Sequence, residues 1–202
     1  MTGTNVTRGY GLLENYLNRR RCAVANRLIP SSLREGRILD IGCGTFPSFL
    51  YNTSFAEKYG LDQVASASDM LVKEKIYIQQ LDLENNCKLP FGDDFFDVVT
   101  MLAVIEHLRC ETTSKLLTEV FRILKPGRVC ILTTPAKWID MILRSMARFN
   151  LVSPREIEEH KCLYDRYKIL DILRPSRFRE ENINVGFFEM HMNIWARATK
   201  NI

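Results

Sequence analysis

The distribution of apolar and polar positions along the chain predicts an alternation of helices and strands. Residues 10–28 carry apolar side chains at helical spacing, and the helix should stop before Pro30, because a residue preceding proline is driven out of the helical region. The short apolar run at 37–42 predicts the first strand. Residues 47–58 predict a second helix, since Pro47 suits a first helical turn, whose N–H groups have no intrahelical partners.

The same alternation continues through the middle of the chain. Strands are predicted at 58–63, 76–83, Phe96 to Leu102 and 128–135, with a short helix or turn at 68–75 and a helix at 111–124. The repeated order of strand and helix favours a parallel sheet that is covered on both faces.

The pattern changes after Pro135. Residues 137–152 are amphipathic and rich in large apolar groups, which fits a lid over a site, an ordinary core or dimer contact, or a helix on a membrane surface. Residues 154–173 predict another helix. The two β-like runs within 183–199 predict a terminal hairpin that completes the sheet.

Composition and charge narrow the class of protein. A chain of 202 residues suits a single domain, and the formal net charge of +4 is modest. Four arginines, at 19, 20, 21 and 27, favour a solvated helix face, and no aromatic residues interleave with them as in single-strand nucleic-acid binders. No run approaches a membrane span and the first residues do not resemble a signal peptide, so a cytoplasmic location is expected.

The cysteines and histidines show no metal-binding pattern. Six cysteines, at 22, 43, 87, 110, 130 and 162, include no C-x-x-C pair, and the three histidines are far apart. In a reducing compartment these cysteines are expected to be small buried apolar residues. No metal is predicted.

A tight turn follows the first strand in the segment ILDIGCGT. Gly42 and Gly44 allow the backbone to bend and a ligand to approach without a Cβ in the way. Asp40 places a carboxylate just before the turn, where it repels a phosphate but attracts a cationic or hydroxyl-bearing ligand. A nucleoside-triphosphate loop is disfavoured for that reason, and also because no G-K-[ST] follows.

Two further carboxylates follow the next two strands. Asp62 could accept hydrogen bonds from both hydroxyls of a ribose. Asp82 could accept one from an exocyclic amine such as that of adenine, while Leu83 packs on the base. A single aspartate at a strand end is often only a turn or cap residue, but three after three successive strands describe a slot shaped for adenosine.

At these positions the sequence resembles the class I S-adenosylmethionine-dependent methyltransferases. The resemblance covers roughly residues 36–136 and rests on ILDIGCGT, GLDQ, QLDL, LPFGDDFFDVV, AVIEHL and EVFRILKPGRVCILTTP. It implies an α/β fold: a doubly wound, mostly parallel seven-stranded sheet with helices on both faces and an antiparallel C-terminal strand. The expected layout is a single methyltransferase domain over 1–202, comprising an N-terminal helix in 1–35, a cofactor-binding core in 36–136, acceptor-side helices in 137–175 and a hairpin in 176–202.

The resemblance implies S-adenosylmethionine as cofactor, bound through the backbone of the turn, the ribose and adenine carboxylates, and Ala103 near the methionine portion. The cofactor residues predicted are Asp40, Gly42, Cys43, Gly44, Asp62, Gln63, Asp82, Leu83 and Ala103. Phe46 stands where a third glycine is usual. It could narrow the loop or cover the methionine end, with altered packing rather than lost binding, because the third glycine mainly sets how closely helix and strand pack. The alternative is that Phe46 simply fills the core. Because Pro47 occupies the last glycine of G-x-G-x-x-G, a nicotinamide-dependent oxidoreductase is disfavoured.

The expected activity is methyl transfer to an O, N or C atom of a small-molecule acceptor. Candidate bases are His107, His160 and Tyr164, with the last two on one face of the helix at 154–173. Neither N-P-P-[YF] nor a Pro-Cys nucleophile follows the fourth strand, which disfavours amine methylation of adenine or glutamine and C5 methylation of cytosine. The alternative is a binding or partner protein that keeps the fold without activity; a homodimer is compatible with either.

Overall fold

A computed structural model describes residues 14–64, 74–139, 142 and 161–202. Short 3-10 turns at Ser31–Leu33, Ile105–His107, Lys137–Ile139, Arg174–Ser176 and Glu180–Asn182 accompany the main elements. The main elements are α1 (Glu14–Leu28), β1 (Arg37–Ile41), α2 (Ser48–Tyr51), β2 (Glu57–Asp62), β3 (Ile76–Gln80), β4 (Phe96–Leu102), α3 (Cys110–Ile123), β5 (Leu124–Pro135), α4 (Arg166–Leu173), β6 (Ile183–Phe188) and β7 (Asn193–Thr199).

The strands form one seven-stranded sheet in the order β3-β2-β1-β4-β5-β7-β6. The first five strands are parallel, and β7 runs antiparallel to both of its neighbours. The strand order reverses at β1, which lies between β2 and β4, and such a switch point is where open α/β sheets bind ligands. The predicted fold class is confirmed.

Both faces of the central strands β1 and β4 are buried, because successive side chains of these strands enter different clusters of the core. Ile38 of β1 packs with Ala25 of α1 and with Ile29, which directly follows that helix. Leu39 packs in the larger cluster with Leu117 of α3 and Ile169 of α4. Strands covered on both faces read as continuous apolar runs, which is why RILDI and FDVVTML carry little alternation.

Tertiary contacts move several element boundaries from their predicted positions. The helix predicted at 47–58 is only α2, because residues from Glu57 onward are needed for pairing with β1, where Glu57 is the partner of Arg37. The strand predicted at 76–83 ends at Gln80. The strand predicted at 128–135 begins at Leu124, which pairs with Phe96 of β4 ahead of the Pro126 that was expected to separate helix from strand.

The helix predicted at 154–173 is wrong over its described first residues. Residues 161–165 are not helical, and α4 begins at Arg166, because Asp165 caps it and accepts a hydrogen bond from the Lys168 N–H at 2.9 Å. The predicted positions 154–160, and most of 137–152, lie outside the described residues.

The structure also corrects the expectation for the cysteines. Cys110, the first residue of α3, and Cys162 form a disulfide with their Cα atoms 6.2 Å apart. The pair is separated by 52 residues, so no local spacing indicates it. Cys43 and Cys130 are buried, as predicted. Within the described parts of the chain, no helix is long and apolar enough to cross a membrane.

Candidate cofactor-binding site

The glycine turn lies directly after β1, at the carboxyl edge of the sheet. Gly42 and Gly44 have φ values of 75° and 76°, in the left-handed region that favours glycine. A Cβ on Gly42 would also collide with the side chain of Val104. The N–H groups of Gly42 and Cys43 both donate to the Leu61 carbonyl, at 2.7 and 3.2 Å, which holds the turn against β2. The turn is therefore fixed by backbone contacts that a side chain would disrupt.

Asp62, the last residue of β2, connects that strand to the glycine turn. Its Oδ2 accepts a hydrogen bond from the Gly44 N–H at 2.9 Å, and its Oδ1 accepts one from the Val64 N–H at 3.0 Å. The residue is only 5% exposed. A carboxylate is an acceptor of the kind that the paired hydroxyls of a ribose require. The next residue, Gln63, is exposed, and its carbonyl accepts from the Gln80 side chain at 2.8 Å.

Asp40 is a buried carboxyl on β1, and its pKa is raised above the ordinary value. It is 4% exposed, and its Oδ1 accepts a hydrogen bond from the Thr100 hydroxyl at 2.6 Å. Burial raises the pKa of Asp40 to about 7, and the nearby Asp62 charge adds to this rise while the Thr100 hydrogen bond opposes it. A carboxyl in this condition would ionise readily beside a cationic ligand.

Asp82 and Leu83 lie in the loop after β3, at the same edge. The Leu81 N–H donates to the Asp62 carbonyl at 3.0 Å, which brings this loop against the end of β2. The carboxylate of Asp82 is exposed and accepts from Asn85 Nδ2 at 2.7 Å, and this hydrogen bond is the main cause of its lowered pKa. Leu83 is half-buried and packs on the core. Three successive strands therefore deliver carboxylates to one edge, as the sequence predicted.

Phe46 is half-buried and packs on α2. Its ring lies 5.8 Å from the ring of Tyr51, in a tilted arrangement. Of the two alternatives for this position, altered packing of the loop on its helix fits this contact better than filling of the core.

Ala103 directly follows β4 and has a strained backbone conformation. It has a φ of 57°, which a non-glycine residue adopts at a cost on the order of 1 kcal/mol. Its N–H donates to the Thr133 carbonyl at 3.0 Å, so β5 holds it in place. The reversal turns the chain away from the sheet into the 3-10 turn Ile105–His107, and strain of this kind is frequent at functional sites.

The three candidate bases differ in their position and burial. His107 is half-buried in the 3-10 turn that follows Ala103. Tyr164 is fully buried, and its hydroxyl lies 3.3 Å from both the Ile105 carbonyl and the Thr113 hydroxyl. Tyr164 therefore packs against the 3-10 turn at Ile105–His107 and supports it. The prediction that Tyr164 shares a helix face with His160 is wrong, because Tyr164 lies before α4. His160 lies outside the described residues.

A cleft beside the glycine turn has a wall that the sequence did not reveal. Asn18, Arg21 and Cys22 of α1 line it together with residues of β1 and the turn. The Asn18 side chain donates to the Ser48 hydroxyl at 3.2 Å, and the Cys22 thiol donates to the Asn18 side chain at 3.1 Å. The spacing of four between Asn18 and Cys22, on one helix face, is the signal that could have indicated this wall. The sequence predicted a solvated face for Arg21, and the structure instead shows it half-buried.

The residues at this edge fit S-adenosylmethionine. The turn offers close backbone approach, and Asp62 offers ribose acceptors beside it. Asp40 offers a carboxyl suited to an ammonium group. A phosphate would be repelled by the same carboxylates.

The fold and the edge define a class of nucleoside-binding α/β proteins, and comparisons with known proteins define the family. A family model described as "Methyltransferase domain" matches residues 13–178. The chain belongs to the class I S-adenosylmethionine-dependent methyltransferases, and S-adenosylmethionine is the cofactor of this family, as predicted.

Curated relatives agree with this assignment. An uncharacterized methyltransferase of Schizosaccharomyces pombe is 32% identical over 145 residues, covering 58% of this chain and 50% of the relative. A probable S-adenosylmethionine-dependent methyltransferase of Mycolicibacterium smegmatis is 30% identical over 135 residues, covering 60% of this chain and 46% of the relative. The chain thus spans about half the length of these relatives.

Solved structures share the fold. A Thermotoga maritima protein described as a possible histamine N-methyltransferase superposes with a TM-score of 0.65 at 17% identity, covering 94% of this chain and 98% of that one. The phosphoethanolamine N-methyltransferase 2 of Haemonchus contortus, in complex with phosphomonomethylethanolamine and S-adenosylhomocysteine, gives 0.63 at 17% identity, covering 91% of this chain and 53% of that one.

Proposed function

We propose that this protein binds S-adenosylmethionine and transfers its methyl group to an O, N or C atom of a small-molecule acceptor. The observation that carries the proposal is the joining of the glycine turn to the Asp62 carboxylate, through the 2.9 Å bond from the Gly44 N–H, beside the buried Asp40. The turn and its acidic partner form one unit that presents backbone and carboxylate oxygens to a nucleoside.

Each residue of the site has a separate part in binding. Asp62 accepts from the ribose hydroxyls, and Asp82 with Leu83 receives the adenine. Gly42, Cys43 and Gly44 give a backbone surface without obstructing side chains. Asp40 holds the ammonium of the amino-acid group, and Ala103 faces the methionine portion. Gln63, adjacent to Asp62, borders the ribose.

The residues need to align and shield the reaction more than to activate it. When bound, the cofactor supplies a methyl group on a positively charged sulfur, which keeps the electron pair of the breaking S–C bond as the acceptor forms the new bond. Alignment alone can contribute roughly 7–11 kcal/mol. A base is needed only for a poor nucleophile such as a hydroxyl. His107 is the candidate base that follows β4; Tyr164, held in the core, is better suited to positioning the turn.

A small-molecule acceptor is supported by two features. The descriptions of the two solved structures named above give a small amine or a phosphorylated amine as substrate or ligand. At 17% identity these proteins share only the fold with this chain. The formal charge of +4 is also modest for a protein of nucleic acids.

A binding or partner protein without transferase activity is the second candidate. Phe46 in place of a third glycine and the burial of Tyr164 favour it. Calorimetry with S-adenosylhomocysteine followed by a screen with radiolabelled methyl donor separates the two, because an inactive protein binds without transferring label.

We further propose that the chain functions as one methyltransferase domain. The family match ends at residue 178, but β6 and β7 complete the same sheet through Thr199.

The first test is the substitution Asp62→Ala. We expect the affinity for S-adenosylhomocysteine, measured by calorimetry, to fall at least tenfold, or about 1.4 kcal/mol, because both ribose acceptors are lost. The exposed Glu111→Ala on α3 is the matched control and should bind like the wild type. Unchanged affinity in a folded Asp62→Ala protein would remove this residue from the site.

A further inference from the structure

An exposed apolar patch lies beyond the end of β5. It consists of Trp138, Phe187 and Met190, whose exposed fractions are 54%, 38% and 84%. His191 joins them: its carbonyl accepts a hydrogen bond from the Trp138 indole N–H at 3.0 Å, and its ring lies 5.1 Å from the Phe187 ring. Met190 directly precedes His191 in the chain. Exposed apolar groups that lie together in this way mark a surface for association.

The turn between β6 and β7 presents Met190 in a strained conformation. Glu189, Met190 and His191 have φ values of 51°, 53° and 67°. Successive non-glycine residues in the left-handed region persist only where surrounding contacts determine them. Here the Met192 N–H donates to the Glu189 carbonyl at 3.0 Å, and the Trp138 indole holds the carbonyl of His191. The fold therefore maintains a costly turn that exposes a large apolar side chain.

Basic side chains border the apolar patch. Lys137 directly precedes Trp138 and is exposed. On α1, the Arg20 side chain is 51% exposed, and its Nε lies 3.8 Å from Glu189 Oε1. The Glu189 side chain is itself only 5% exposed. Of these three charged groups, the two that face solvent are positive.

The sequence left three interpretations open for residues 137–152: a lid, a core or dimer contact, or a membrane surface. The structure describes 137–139 and 142 of this stretch, and both Trp138 and Ile142 are exposed, the latter at 44%. Their exposure disfavours an ordinary core contact. In a two-fold dimer a patch meets its own copy, so Lys137 and Arg20 would approach their own copies and repel. A negatively charged partner is favoured instead.

We propose that the apolar patch and its basic border dock on an anionic membrane surface. Tryptophan is enriched at the boundary between lipid and water, because its ring is apolar and its N–H is polar. Exposed Lys and Arg side chains beside it are attracted to anionic headgroups. An apolar patch with a basic border matches both properties of such a surface.

Docking at this patch would turn the edge with the cofactor site toward the bilayer. Asn193 of β7 pairs with Pro135, the last residue of β5, which brings the turn between β6 and β7 to the carboxyl ends of the parallel strands. The glycine turn after β1 lies at the same edge of the sheet. The inference adds a partner to the proposed function, and its test does not depend on methyl transfer.

The test is co-sedimentation of the 202-residue chain with lipid vesicles. We expect binding to an equal mixture of phosphatidylcholine and phosphatidylglycerol, weaker binding as salt is added, and no binding to phosphatidylcholine alone. Trp138→Ala and Met190→Asn should each weaken binding at least about fivefold. Asparagine is chosen at 190 because it tolerates the left-handed backbone. Arg20→Gln and Lys137→Gln should each weaken binding about fivefold at low salt.

The controls remove similar groups outside the patch. Tyr77→Ser removes a 51% exposed ring on β3, at the opposite end of the sheet from β6, and should bind as the wild type does. Lys88→Gln and Lys115→Gln, at exposed positions, should each weaken binding less than the two basic changes at the patch. Melting curves establish that each variant is folded.

Two results would overturn the proposal. One is a wild type that does not bind the mixed vesicles, or folded patch variants that bind them as well as the wild type does. The other is a wild type that sediments as a dimer and becomes monomeric in Trp138→Ala and Met190→Asn, because a second copy of the chain would then cover the patch.

Discussion

At the scale of single residues, environment decides what each aspartate does. Asp40, Asp62 and Asp82 each stand in or just after an apolar strand. Burial raises the pKa of Asp40 to about 7, whereas a hydrogen bond from Asn85 lowers the pKa of the exposed Asp82. Asp62 takes backbone N–H bonds from the turn it supports. One residue type therefore occurs here in three conditions: a buried protonatable carboxyl, a carboxylate bonded to the backbone of a turn, and a solvated carboxylate.

The raised pKa of Asp40 makes a prediction about stability and pH. Because the folded protein binds this proton more tightly than the unfolded chain, whose value is near 3.8, the stability it contributes is complete below that pH and is lost as pH rises through about 7. In Asp40→Asn this group no longer titrates, so the ligand-free variant should lose less stability between pH 4 and 8 than the wild type, by several degrees in Tm at roughly 2–4 °C per kcal/mol. If the Tm of the two proteins changes by the same amount between pH 4 and 8, Asp40 is not a buried group that ionises in this range.

At the scale of elements, long-range pairing sets the boundaries. The short α2 leads into β2 because Glu57 must meet Arg37, and β5 begins at Leu124 because it pairs with Phe96. A long-range contact also explains the glycine in the middle of β2, because a Cβ on Gly60 would lie 2.8 Å from the Cys43 sulfur in the turn. Local propensity predicts that these elements exist, and the neighbours decide where they end.

The disulfide is the clearest link between elements, and it can be tested by melting. Cys110 and Cys162 join the start of α3 to the segment before α4 and close a loop of about 52 residues. A loop of that length restricts the unfolded chain by up to roughly 4 kcal/mol, so reduction or the double change Cys110→Ser/Cys162→Ser should lower Tm by about 5–15 °C.

The single change Cys87→Ser is the matched control for the disulfide, because Cys87 is half-buried and unbonded to another cysteine in the structure. It should shift Tm by less than the double variant, and its Tm should still respond to reductant. A wild type whose melting is insensitive to reductant would show that the bond adds no stability.

At the scale of the whole molecule, strand order assembles the site. Because β1 lies between β2 and β4, the glycine turn meets the carboxylates that follow β2 and β3. The antiparallel β7 returns the chain to the same edge and places the turn with Glu189 there. The helix α1 bridges the two ends of this edge, so we expect it to respond when a ligand binds.

This expectation can be measured by hydrogen exchange. At a hundredfold excess over Kd, S-adenosylhomocysteine stabilises the bound state by about 2.7 kcal/mol and should slow exchange up to roughly a hundredfold in segments that open only when it leaves. We expect protection in the glycine turn and in α1, because residues of both line the cleft. Protection confined to the ends of β1, β2 and β3 would contradict a role for α1.

The sequence by itself determined the class of fold, the glycine turn and the three acidic strand ends. These features are local, because a turn needs glycine where φ is positive, and a strand covered on both faces needs a continuous apolar run. The family resemblance followed from their order and spacing, and the family match confirms it.

Only the tertiary structure decided the raised pKa of Asp40, the support given by Tyr164, the disulfide, and the placing of Arg21 beside the cleft. Each depends on groups far apart in the chain: Asp40 meets Thr100, and Arg20 meets Glu189. The burial of a residue and the charges around it both depend on these long-range contacts. A pattern along the chain therefore indicates which residues are available, while the packing of the sheet and helices decides which of them act together.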